Sequence, residues 1–246
     1  MEMVAQPPVR INVVPGARLL DRQWLGERIS DMGISWGTGD SRVSGTLWWC
    51  MVASSLVDPI VSAQAAGLPV MDPALASIGL EMRPDGGVER VLAMCELGPS
   101  DGSGVGADDP DEPAKGTGDP IMLGVGGDPI QVEPVGHALR HTLSAVIPVV
   151  AEVSGAGVAA LWAIVADAIG NRALDAGAQE VGSALAREVS GRLPVPRFSD
   201  IGGRTFVRRI SCCLVFEAPG CEMCTSCPKR PAAQREALLE ELAARG

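Results

Sequence analysis

Tyrosine is absent from this sequence, and aromatic residues of any kind are scarce: five Trp and three Phe among 246 residues. The core must therefore be filled mainly by Ala, Val, Leu and Gly, with the few Trp residues (Trp24, Trp36, Trp48 and Trp49 among them) as its bulky members. One of these indoles lining a substrate cleft is the alternative to plain core packing. Histidine is almost missing, with only His137 and His141. The two are four apart on a predicted helix and share a face, but no acidic residue stands between them and no third ligand is in sight, so a structural role is expected. No Ser–His–Asp arrangement and no phosphate loop is visible.

An excess of positive charge is lacking as well: the formal net charge is −10. That excludes a chain built to coat nucleic acid or an anionic membrane surface. Long apolar runs are also wanting. The longest stretches, between Leu143 and Ile169, are interrupted by Glu152, Ser154, Gly155, Gly157 and Asp167. They fall short of the roughly 20 residues that a spanning helix needs, so no membrane span is expected. The start, Met1 to Pro8, has no charged opening followed by an apolar core, so no signal peptide is read, and a cytoplasmic location is expected. A dinucleotide fingerprint is missing too. Gly124-Val125-Gly126-Gly127 lacks the spacing of the third glycine and no parallel strand–helix unit surrounds it, so neither an NAD(P) nor a flavin site is expected.

What the chain does have is a cluster of cysteines. Seven are present, and Cys212, Cys213, Cys221, Cys224 and Cys227 crowd into one short segment. The cytosol disfavours structural disulfides, so a tight cluster there points to a metal or redox site. Thiolates are soft ligands suited to iron–sulfur clusters, zinc and Cu(I). Cys224 and Cys227 form a Cys-x-x-Cys unit that two thiolates can offer across a tight turn, stiffened by Pro228. The adjacent pair Cys212-Cys213 is less usual. Neighbours on an extended strand face opposite ways, so both can serve one site only if the backbone bends there. Pro219-Gly220 supplies a turn that folds the second arm back toward the pair. On these residues alone, an iron–sulfur centre, a zinc site of four thiolates and a disulfide or thiol-exchange site all remain open. The segment is locally basic, with Arg204, Arg208, Arg209, Lys229 and Arg230.

The rest of the chain reads as mostly helical. Helices are predicted over Arg18 to Met32, from a Ser44 cap to an interruption at Asp58-Pro59, and over Ile60 to Ala66 with a stop at Gly67. Further helices are predicted over Gly136 to Val150, Gly157 to Ile169 and Ala176 to Val189 from apolar spacing of three and four. Ala232 to Ala244 reads as strongly amphipathic, with Leu238, Leu239 and Leu242 on one face. Two β-hairpins are predicted: Gly79 to Arg83 with Val88 to Leu97, and Ile121 to Val125 with Ile130 to Val132. Residues 98–119 are nearly all Gly, Pro, Asp, Ser and Ala, which reads as a flexible acidic insertion. The expected fold is α+β: a mostly helical body with a small antiparallel sheet and a C-terminal cysteine-rich loop. Its expected divisions are a body over 1–203, a cysteine segment over 204–230 and a C-terminal helix over 231–246.

Cys212-Cys213, ten residues, then Cys224-x-x-Cys227 resembles the signature of the FhuF-type ferric-siderophore reductases. Arg208-Arg209 and Ser211 before the pair, Leu214 after it and Pro228 after the last cysteine fit that resemblance. It is sharp over 204–228 and fainter around Trp48 to Pro59 and Trp162. Cys221 departs from the pattern, either as a spare thiol or as an alternative ligand in place of Cys224 or Cys227. The resemblance implies a [2Fe–2S] cluster held by Cys212, Cys213, Cys224 and Cys227. It implies an oxidoreductase that passes one electron to Fe(III) in a siderophore and so releases Fe(II). The electron would come from a donor protein or a small reductant. Arg208, Arg209, Lys229 and Arg230 would offset cluster charge and help dock a donor or an anionic chelate. Two other readings stand beside it: a [2Fe–2S] electron carrier or partner subunit of a redox complex, and a zinc-stabilised binding module.

Overall fold

The structure, a computed structural model, describes residues 12–94 and 133–245. The second expected hairpin and the acidic insertion lie outside the described residues, as does Cys95.

The architecture is α+β. Strand β1 (Val13–Pro15) and a short 3-10 turn lead into helix α1 (Arg22–Trp36). This helix begins four residues later than the periodicity suggests, because Asp21 caps it by accepting from the Trp24 N–H. Helix α2 (Ser41–Ala66) follows, then strands β2 (Ile78–Met82) and β3 (Val88–Ala93). After the gap come helices α3 (Val135–Ser154), α4 (Val158–Asp175) and α5 (Gln179–Val189). Strands β4 (Phe198–Ile201) and β5 (Arg204–Val207), the cysteine loop and helix α6 (Ala232–Ala244) complete the chain.

The expected hairpin forms around a turn in which Gly86 has φ +81°, a conformation that favours glycine. Its sheet gains a third strand, β1, paired antiparallel to β2. The sequence reading did not find β4 and β5. Their signal is the Gly202-Gly203 pair, both at positive φ, between two short apolar-alternating runs.

Helix α2 is the centre of the body, packed by α1, α3, α4, α5 and β3. The reading that split it at Asp58-Pro59 is corrected: one helix runs from an Asp40 cap, not Ser44, through Pro59 to Gly67. Proline inside a helix costs about 3 kcal/mol. Val57, Ile60 and Val61, all fully buried on either side of it, offset that cost by packing. By length and composition α2 is apolar enough to cross a bilayer, the only such helix among the described residues, yet it is buried on most sides as the core helix of this fold. The indoles of Trp48 and Trp49 are buried and hydrogen-bonded, Nε1 of Trp48 to the Gly86 carbonyl and Nε1 of Trp49 to that of Leu161, each at 3.0 Å. These two are core residues, whereas Trp36 is partly exposed at the end of α1. The amphipathy expected of α6 is weaker than its leucines suggest, since only Leu239 is buried and Leu242 is exposed. The helix packs on one edge only, with Ala243 against the Gly202 turn.

Close packing along α2 yields a direct test. A Cβ on Gly45 would stand 2.2 Å from that of buried Ser154 at the end of α3. Gly45→Ala is expected to lower stability by about 1–3 kcal/mol through overpacking, despite alanine's better helix propensity, as read from the thermal midpoint.

Candidate metal centre

The cysteine segment follows β5 and crosses the face of α4. The anchor is Asp167, which interrupts an otherwise apolar helix and is buried to 5% exposure. Its carboxylate accepts from the Ile210 N–H at 3.1 Å, the Ser211 N–H at 2.8 Å and the Ser211 hydroxyl at 2.6 Å. Nε of Arg209 lies 3.6 Å from the same carboxylate. Four groups just ahead of Cys212 are thus tied to one buried side chain. Val207 of β5 packs over Gly170 one turn further along α4, where a Cβ would come within 3.1 Å of it.

The backbone bends directly after the adjacent pair. Leu214, directly after Cys213, has φ +61° and ψ +9°, the left-handed region that a leucine rarely enters. Cys213, Leu214 and Val215 then pack against the hydrophobic core, while Glu217 pairs with Arg42 at the start of α2. The chain returns through Gly220, at φ +74°. The Cys-x-x-Cys arm is a turn closed by the Cys227 N–H to the Cys224 carbonyl at 3.1 Å. Arg230 clamps this turn, its guanidinium donating to the carbonyls of Cys224 at 2.9 Å and Met223 at 2.5 Å.

These turns bring two of the thiols together. Sγ of Cys212 and Sγ of Cys227 lie 3.8 Å apart. Two thiolates on a tetrahedral ion with bonds of about 2.3 Å would be separated by about 3.8 Å. Cys224 receives Nη1 of Arg209 at 3.5 Å from its sulfur. Burial raises the Cys224 thiol, the Arg209 guanidinium opposes this, and the charge of Cys213 adds to the rise. Cys212 is pushed up to about 11, first by burial and further by Cys227, although the Leu214 N–H works the other way. Burial would lower Arg209, but the charges of Cys224 and Asp167 more than offset it and its pKa is raised.

Among the described residues no three potential ligands converge on a single point. A [2Fe–2S] cluster asks each iron for two protein thiolates, not four thiolates for one ion. The two turns, the short sulfur–sulfur approach and the cation over Cys224 fit that group.

Two of the four expected docking cations turn inward. Arg209 and Arg230 hold the loop, while Arg208 and Lys229 are exposed beside it. Cys221 sits on the loop and its N–H bonds the Ala218 carbonyl. His141 is exposed, 3.5 Å from Glu133.

Sequence reading missed Asp167 as a site residue, taking it for a mere interruption of an apolar stretch. The available signal was a carboxylate on the apolar spacing of a helix, a residue almost never buried unless paired. It also missed Cys50 of α2. This thiol lines a cavity with Asp167, Arg209 and Ser211, and burial pushes it up to about 12.

Residues 209–229 match the family model of the FhuF 2Fe-2S C-terminal domain. The match covers the cysteine loop alone and indicates a [2Fe–2S] cluster as its cofactor, hence an iron–sulfur redox role. No curated protein and no solved structure matches the chain.

Proposed function

We propose that this chain is an iron–sulfur ferric-siderophore reductase of the cytoplasm, with Cys212, Cys213, Cys224 and Cys227 as the cluster ligands. The observation that carries the reading is the 3.8 Å approach of Cys212 and Cys227 inside the matched segment, on a loop tied to a helical body. Residues 1–203 form the platform, 204–230 the cluster segment and 231–246 a covering helix. When bound, the cluster supplies a single electron to Fe(III) in the chelate. Siderophores hold iron through hard oxygen ligands that favour Fe(III) over Fe(II), so reduction loosens the complex and no acid, base or nucleophile is needed.

The protein's own residues position and tune. Asp167 and Arg230 fix the two arms of the loop. Burial of Cys227 to 2% exposure keeps water from that side of the site. Arg209 offsets thiolate charge, and each ~59 mV of potential is worth a factor of ten. On the open side, Phe206, Arg208, Ser226, Arg235 and Leu239 frame a cavity of about 350 Å³ next to the Cys224 turn. This cavity, with Lys229 nearby, is where we place the approach of the ferric chelate. Electrons come from a donor protein or a small reductant, with no NAD(P) or flavin site of the chain's own.

Anaerobically purified protein is expected to be coloured, with two irons and two sulfides per chain. Dithionite is expected to bleach it and a ferric hydroxamate to restore the colour. A colourless chain with one zinc and no sulfide would refute the reading.

A further inference from the structure

The four thiols are not equivalent, and their differences cut across the order of the sequence. Cys212 stands 3.8 Å from Cys227, fifteen residues away. With those two on one iron, the four-ligand reading leaves Cys213 and Cys224 for the other. Chain neighbours are thus not site neighbours.

The surroundings of the two pairs differ as well. Cys224 faces Nη1 of Arg209 at 3.5 Å. Cys212 faces the sulfur of Cys227 instead. Hydrogen bonds to thiolate sulfur and a nearby cation stabilise the form that carries the extra negative charge. Arg209 is also held in place: its Nε is buried and points to Asp167 at 3.6 Å.

The geometry points to a crosswise division of the cluster: Cys212 and Cys227 hold one iron, Cys213 and Cys224 hold the other, and Arg209 directs the added electron to the second. This rests on the four-ligand reading above. One electron, from dithionite in the test, converts one ferric ion to ferrous. No bond breaks and no proton is required.

The test is electron paramagnetic resonance and a redox titration of the loaded protein and its single variants. Cys213→Ser and Cys224→Ser are expected to resemble each other, with displaced g values and the larger drop in midpoint, because a harder oxygen ligand disfavours the ferrous ion. Cys212→Ser and Cys227→Ser are expected to form a second class with smaller changes. Arg209→Gln should move the redox equilibrium at least tenfold toward the oxidised form, about 59 mV, while Arg209→Lys retains most of the wild-type midpoint and the exposed Arg245→Gln all of it. Cys212→Ser resembling Cys213→Ser, with Cys224→Ser resembling Cys227→Ser, would overturn the division. An unmoved midpoint in Arg209→Gln would overturn it too, and this measurement keeps all four cysteines should a serine variant fail to hold iron. A coloured wild type with the wrong grouping refutes only this inference, whereas a colourless wild type refutes the reductase reading itself.

Discussion

Asp167→Ala is expected to cost about 3–5 kcal/mol of stability and to leave the protein largely without iron. The carboxylate is buried and serves two backbone N–H groups, one hydroxyl and the Arg209 guanidinium. Hydrogen bonds to a charged group contribute about 1.5–3 kcal/mol each, and removing one member of a buried ion pair costs about 3–5 kcal/mol because its partner stays behind uncompensated. For a chain of this size that corresponds to a fall in thermal midpoint of about 10 °C. The loss also frees the segment that presents Cys212 and Cys213, so the metal effect should exceed what lower stability alone would produce. Asp167→Asn keeps an acceptor for the N–H groups but gives up the pairing with Arg209, and an intermediate result is expected. Iron content and thermal unfolding, measured on the same preparations, decide the matter. An Asp167→Ala protein with full iron content and an unchanged midpoint would remove Asp167 from the site.

The second large effect separates ligands from bystanders. Cys227→Ala is expected to abolish the visible spectrum and the bound sulfide, since this buried sulfur is the one in contact with Cys212. Cys221→Ala should keep both, because the four-cysteine reading does not use its sulfur. Cys50→Ala should also keep the cluster, because Cys50 lies in α2, outside the four cysteines of the loop. Absorption spectra with iron and sulfide assays on the three variants distinguish these outcomes. Loss of the cluster in Cys221→Ala, with retention in Cys227→Ala, would move the ligand from the end of the loop to its middle.

The difference between what could be read early and what could not follows the range of the interactions. Periodic apolar residues place the helices because a helix face repeats every few residues, and α4, α5 and α6 lie where that pattern puts them. Glycine turns locate the β2–β3 hairpin for the same local reason. The Pro59 reading failed because a local preference met a larger distant term, the burial of Val57, Ile60 and Val61. Strand β1 escaped notice because three residues carry no periodicity, and only pairing with β2 makes them a strand.

The site divides in the same way. Thiolate chemistry and the spacing of Cys212, Cys213, Cys224 and Cys227 are properties of the chain; they called for a soft-metal or redox site and a bend at the pair, and the family resemblance implied the [2Fe–2S] class. Which sulfur meets which, and which cation turns inward, depend on contacts that no spacing encodes. Cys212 reaches Cys227 across two turns, Arg209 finds Asp167 from a helix 42 residues earlier, and Arg230 folds back on its own loop. The sequence determined that this loop is suited to a soft metal or a redox site, because ligand softness is a property of the side chain. Only the tertiary structure decided how the thiols are paired and held, because that depends on where α4 carries its one buried carboxylate.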